Sequence, residues 1–151
     1  ADDALWLFPT VYKYIAETGN TAFLNEIIPF ANQDEGTVYE HLKRAIQFSL
    51  DHLGPHGMPA GLYADWNDCL RLGADGESTF VAMQFYYALL ISKEFAVYKN
   101  DTEYSLWLDD QIKDMKERFR LSAGIQTDLS GGTQKQANVS AHRKIRRPTC
   151  G

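Results

Sequence analysis

A chain of 151 residues, 44% apolar and 13% aromatic, is of one-domain length and has the material for a buried core. That composition excludes a disordered tail, and no apolar run approaches the roughly 20 residues a membrane helix needs. All 20 acids and 10 of the 15 bases fall in residues 1–129, so the body is acidic, which argues against a nucleic-acid surface.

The chain opens without Met, without a basic-then-apolar leader and in mid-pattern, as a fragment of a longer protein would. Asp2-Asp3 precede the first apolar pattern, where capping and dipole compensation are the ordinary roles of acids. Leu5, Phe8, Tyr12 and Ile15 fall at helical spacing, and Gly19 stands where a C-terminal cap belongs. Pro9 implies a kink or a late helix start. Asn20-Thr21 would cap a second, short helix with Leu24, Ile27 and Ile28 on one face, ended by Pro29. Residues 31–36 read as a polar loop.

Thr37 and Glu40 have the spacing of a capping box. The helix they start runs through Leu42, Ile46 and Leu53 until Gly54-Pro55 stops it. His41 and His52 lie about three turns apart on it, too far to share a metal. Glu77-Ser78 begin a fourth helix, apolar almost all the way round from Phe80 to Val97, as in a helix with neighbours on several sides. Asn100-Asp101-Thr102 turn the chain and cap a fifth, whose buried stripe is Tyr104, Leu108, Ile112, Met115 and Phe119. No run alternates as a strand does, and beyond about residue 122 periodicity ends. The expected fold is all-α, in two parts: residues 1–122, and an irregular tail of residues 123–151 whose last 22 residues carry five bases and no acid.

Between the third and fourth helices, residues 60–76 carry Asp65-Trp66-Asn67-Asp68, bracketed by Gly57, Gly61, Gly73 and Gly76. An indole offers a broad apolar face for a sugar ring and an N–H for a hydroxyl. A carboxyl group desolvated beside it holds its proton near neutral pH, as a general acid must. That combination suits cleavage of a glycosidic bond. The competing reading is a tight turn built from Asp and Asn. A D-x-x-D pair could also hold a hard cation, but the twelve-position calcium loop and its glutamate are missing. Cys69 and Cys150 form no disulfide framework and fit a reducing, cytoplasmic setting.

Several segments, in order and at consistent spacing, resemble the catalytic domain of the cellobiose and chitobiose phosphorylases. They are Asp2-Asp3-x-Leu-Trp-Leu, Tyr-Ile-x-Glu-Thr-Gly at 14–19, Glu-Gly-Thr-Val-Tyr-Glu-His-Leu-Lys-Arg-Ala at 35–45, Leu-Gly-Pro-His-Gly at 53–57, Ala-Asp-Trp-Asn-Asp-Cys-Leu at 64–70, and Gly-Glu-Ser at 76–78. The resemblance covers residues 2 to 120 and implies part of an (α/α)6 barrel. It implies reversible inverting phosphorolysis of a β-linked disaccharide, cellobiose first and chitobiose second, to an α-sugar 1-phosphate and a free sugar. Asp68 matches the general acid and Trp66 the donor-sugar wall. Asp3, or less closely Asp2, matches a carboxylate for the same sugar's hydroxyls, and Asp65 has a supporting place.

The resemblance further implies inorganic phosphate as co-substrate, no metal or other cofactor, and a cytoplasmic, homodimeric parent that binds neither nucleic acid nor membrane. Tyr63 stands where many members have Arg, and the phosphate-binding residues expected downstream are not in this chain. Neither is the Trp-Asp-x-x-x-Trp-Tyr segment expected after residue 122. The fragment alone is therefore expected to be poorly active. Two other functions fit the same residues: a non-catalytic helical module for sugar or protein, and a glucan synthase relative, in which Gly-Met would replace Cys69-Leu70.

Overall fold

A computed structural model describes residues 2–32, 34–62, 72–73 and 75–122. Asp3–Trp6 form a 3-10 turn that leads into helix α1, Leu7–Thr18. Pro9 therefore falls in the first turn of α1, where its missing N–H leaves no bond unmade. Of the two sequence readings, the late start is the one observed. Gly19 closes α1 in the left-handed conformation, φ 67°, and its N–H bonds the carbonyl of Ile15.

The second helix expected from the sequence is replaced by two shorter elements. Thr21–Asn25 form a 3-10 turn, and Ile27–Pro29 form strand β1, antiparallel to β2, Glu35–Thr37. The cause is local. Two β-branched residues followed by proline favour extended backbone, and Pro29 is tolerated on so short an edge. Part of the expected 31–36 loop is thus strand, and the expectation of no strand at all is corrected by this one small ladder.

Helix α2, Val38–Asp51, starts where the sequence places it. Thr37 N–H donates to Glu40 Oε2 at 2.7 Å and Glu40 N–H donates to Thr37 Oγ1 at 3.1 Å. Helix α3, Thr79–Tyr98, is capped by the Ser78 hydroxyl, and helix α4 spans Thr102–Ser122. The described residues therefore hold four α-helices and two 3-10 turns rather than five helices.

The core lies where α3 packs against α4, α2 and α1. Phe8, Leu24, Ile46, Phe85, Leu89 and Leu108 are fully buried there, each worth on the order of 2 kcal/mol of transfer free energy. By length and composition alone α3 could cross a membrane, which corrects the reading that no run reaches that length. Half of that window is buried inside the fold, and a core helix passes the same test.

Candidate functional site

The 3-10 turn at the N-terminus brings Asp2 inward and leaves Asp3 outside. Asp2 is 7% exposed, makes no side-chain cap bond, and accepts the indole N–H of Trp6 on Oδ2 at 3.0 Å. Asp3 is exposed in the first turn. Of the acidic pair, Asp2 is thus the one held in a fixed, desolvated place. Asp65, Trp66 and Asp68, with Tyr63, Cys69 and Leu70, lie outside the described residues.

What is described is the base from which that stretch leaves the helices. Gly61 N–H donates to the Gly76 carbonyl at 2.7 Å, and Ala60 bridges Glu77. The entry and exit of the segment between them are therefore hydrogen-bonded to each other. Below them the chain after α2 folds back on itself. Leu53 bridges Pro59, and Ala60 N–H donates to the His52 carbonyl at 2.9 Å.

Glu77 joins these two layers. Its Oε1 accepts the backbone N–H groups of His56, at 2.9 Å, and Met58, at 3.0 Å, and its Oε2 lies 2.7 Å from His56 Nδ1. The sequence places Glu77 at the start of a helix, and places both Glu77 and His56 in the matched segments, without pointing to a role for either. The available signal was glycine. At Gly54 a β-carbon would stand 2.4 Å from Glu77 Cγ, so only glycine admits that side chain.

Leu62, at the exit from this base, holds φ 54°. A branched apolar residue there is strained by about 1–3 kcal/mol, and such strain gathers at functional sites. From the other side Arg118, on α4, donates to the Gly57 carbonyl at 2.6 Å.

The other two described histidines have ordinary partners. His41 Nε2 meets the Ile28 carbonyl at 2.9 Å, and His52 Nδ1 meets the Phe48 carbonyl at 2.8 Å. Among the described residues no group of three His, Cys, Asp or Glu comes together as a metal site. A second polar cluster ties α2 to the α3–α4 turn. Lys43 Nζ lies 2.5 Å from Asp101 Oδ2, and the Tyr39 hydroxyl donates to the same oxygen at 3.2 Å. Burial, then the Asp101 charge, pushes the Tyr39 and Tyr104 hydroxyls well above the usual phenol range. A depression at that corner, lined by Val97, Asn100, Thr102, Ser105 and Leu106, has no charged side chain. It lies at the far end of α3 from Ser78, about 30 Å away.

Over residues 1–124 the chain matches the family described as the glycosyl hydrolase 94 superfamily, catalytic domain, and it belongs to that family. Its all-α body is part of that family's (α/α)6 barrel. Among curated relatives, the chain is 51% identical over 89 residues to the N,N'-diacetylchitobiose phosphorylase of Vibrio proteolyticus, covering 59% of this chain and 11% of the relative. It is 43% identical over 101 residues to the enzyme of the same name from Vibrio furnissii, covering 67% and 12%. It is 38% identical over 99 residues to solabiose phosphorylase of Paenibacillus borealis, covering 64% and 13%. The chain thus spans about a tenth of the length of these relatives.

Proposed function

We propose that this chain is a segment of a disaccharide phosphorylase, and that the longer protein splits N,N'-diacetylchitobiose with inorganic phosphate. The observation that carries this reading is the 43–51% identity to two enzymes of that name. It favours chitobiose over the cellobiose that the motifs alone put first.

In the proposed reaction a phosphate oxygen attacks C1 of the donor sugar from the face opposite the glycosidic bond. The C1–O bond breaks, and Asp68 gives its proton to the departing oxygen. Phosphate is already a nucleophile, so no carboxylate is needed to activate water, and one acid suffices. Trp66 would form the apolar wall of the donor site. Asp2 or Asp3 would take sugar hydroxyls, and the burial of Asp2 favours Asp2 over Asp3. Asp65 would support the motif.

The same reading makes residues 1–122 a piece of the catalytic domain and residues 123–151 a separate tail. It places the longer protein in the cytoplasm as a homodimer, with no cofactor beyond phosphate and no nucleic-acid or membrane partner.

Phosphorolysis by the full-length protein tests this directly. Release of a sugar 1-phosphate from N,N'-diacetylchitobiose, strictly dependent on phosphate, is the expected result. Asp68→Asn should remove it by a factor on the order of 10²–10⁴. Turnover of Asp68→Asn within about tenfold of wild type would reject Asp68 as the acid. Preference for cellobiose would reject the substrate.

One further reading has an observation of its own. The chain is 33% identical over 107 residues to the cyclic β-(1,2)-glucan synthase NdvB of Rhizobium meliloti, and transfer to sugar without phosphate would support that relationship. Sugar binding with neither product would instead support a non-catalytic module.

A further inference from the structure

Glu77 has a second neighbour that already does what an acid before a helix would do. Ser78 caps α3 with its own hydroxyl, so the Glu77 carboxylate is not required there. Its side chain is 9% exposed and turns to the 56–58 turn, where it takes two backbone N–H groups and faces the His56 ring. The backbone of the same residue bridges Ala60, and its neighbour Gly76 accepts from Gly61. Glu77 thus ties the 56–58 turn and Ala60 to the start of α3, next to the Gly61–Gly76 bond that joins the two ends of the segment between them. A nearly buried carboxylate with three donors is a strong, charge-assisted joint.

We propose that Glu77 is a positioning residue for the reaction: it holds the base of that segment so that Asp68 meets the leaving oxygen in the right place. The inference rests on the reading of Asp68 as the general acid. A displacement of about 1 Å in such a group costs on the order of 10²-fold in rate, which is the effect expected when the joint is cut.

The test uses the full-length enzyme and two donors, the disaccharide and the β-glycosyl fluoride of the same sugar. With the fluoride, the C1–F bond breaks without a proton, so that reaction does not need a placed acid. Glu77→Ala should lower kcat on the disaccharide about 10²-fold, with KM and the rate on the fluoride little changed. Glu77→Gln, which keeps an oxygen for the two N–H groups, should retain most of the disaccharide rate. Glu77→Asp, one methylene shorter, carries the same test should the alanine variant not fold.

Equal losses on both donors, or folding failure of both shortened variants, would assign Glu77 to stability alone and overturn the proposal. Asp68→Asn is measured alongside. If it loses the disaccharide and keeps the fluoride while the Glu77 variants behave as wild type, only the role of Glu77 falls. If it keeps the disaccharide, the acid assignment falls and takes this inference with it.

Discussion

Asp101 shows how much one side chain can hold. Its Oδ1 accepts the Tyr104 N–H at 3.2 Å and so caps α4, while Oδ2 faces Lys43 and Tyr39 on α2. The Lys43 hydrogen bond, ahead of the cap and the Tyr39 hydroxyl, holds its carboxyl below the usual range. A depressed carboxylate stabilises the fold above its unfolded pKa, and that contribution is lost as pH falls through the folded value. Thermal unfolding followed downward from about pH 5 should therefore show stability falling below about pH 4. The fall should be shallower in Asp101→Asn. Asp101→Ala should cost about 1–2 kcal/mol at neutral pH, chiefly through the cap, as measured by urea denaturation. At this scale the sequence was uneven. The role of Asp101 as a cap was legible because its partner is three residues away. The contacts of Glu77 were not, because His56 and Met58 lie 21 and 19 residues back. The acid pair at residues 2 and 3 could be matched by type, but which of them is buried depends on the 3-10 turn that rotates Asp2 inward.

Among the elements, the starts with a local signal were read correctly, whereas α2 stops at Asp51, short of the Leu53 expected from the sequence, because Leu53 pairs with Pro59 instead. The box at Thr37 and Glu40, the glycine after α1, and the serine before α3 each decide their helix within one turn of chain. Thr37 supplies both its N–H and its hydroxyl to the Glu40 carboxylate, which lowers that carboxyl. Thr37→Ala should remove about 1 kcal/mol of stability. It should also weaken the acid dependence, because Glu40 would lose the Thr37 hydroxyl, which favours its charged form. A Thr37→Ser variant, which keeps both groups, should melt close to wild type in the same assay. The stretch from 24 to 29 was misread because Leu24, Ile27 and Ile28 satisfy a helical spacing by coincidence. Strand pairing to residues 35–37 and the following proline outweighed that pattern. No window confined to 20–30 contains the partner strand, so the information was absent locally.

For the whole molecule, the outer faces of α3 and α4 differ in kind. α4 turns Glu103, Asp109, Asp110, Lys113, Asp114 and Lys116 outward. α3 instead exposes Phe80, Met83, Tyr87 and Leu90 on one face, and Val97 beyond the exposed Glu94 on that face, with Met83 at 57% and Val97 at 61%. The near-uniform apolar sequence of α3 told that it would be enclosed, but not which side this segment leaves open. A soluble monomer rarely keeps such an apolar face in water. Chromatography with light scattering should show the isolated segment associating. Met83→Lys with Leu90→Lys should reduce that association while the helical circular dichroism stays unchanged.

The hydrogen bond from Arg118 to the Gly57 carbonyl has an effect reaching beyond its own helix. It fastens the final turns of α4 to the turn that Glu77 grips, although 61 residues separate the two ends of the bond. Substitutions late in α4 therefore reach the turn at residues 56–58. Loss of that one guanidinium would slacken the turn at Gly57, with nothing altered at Glu77 itself.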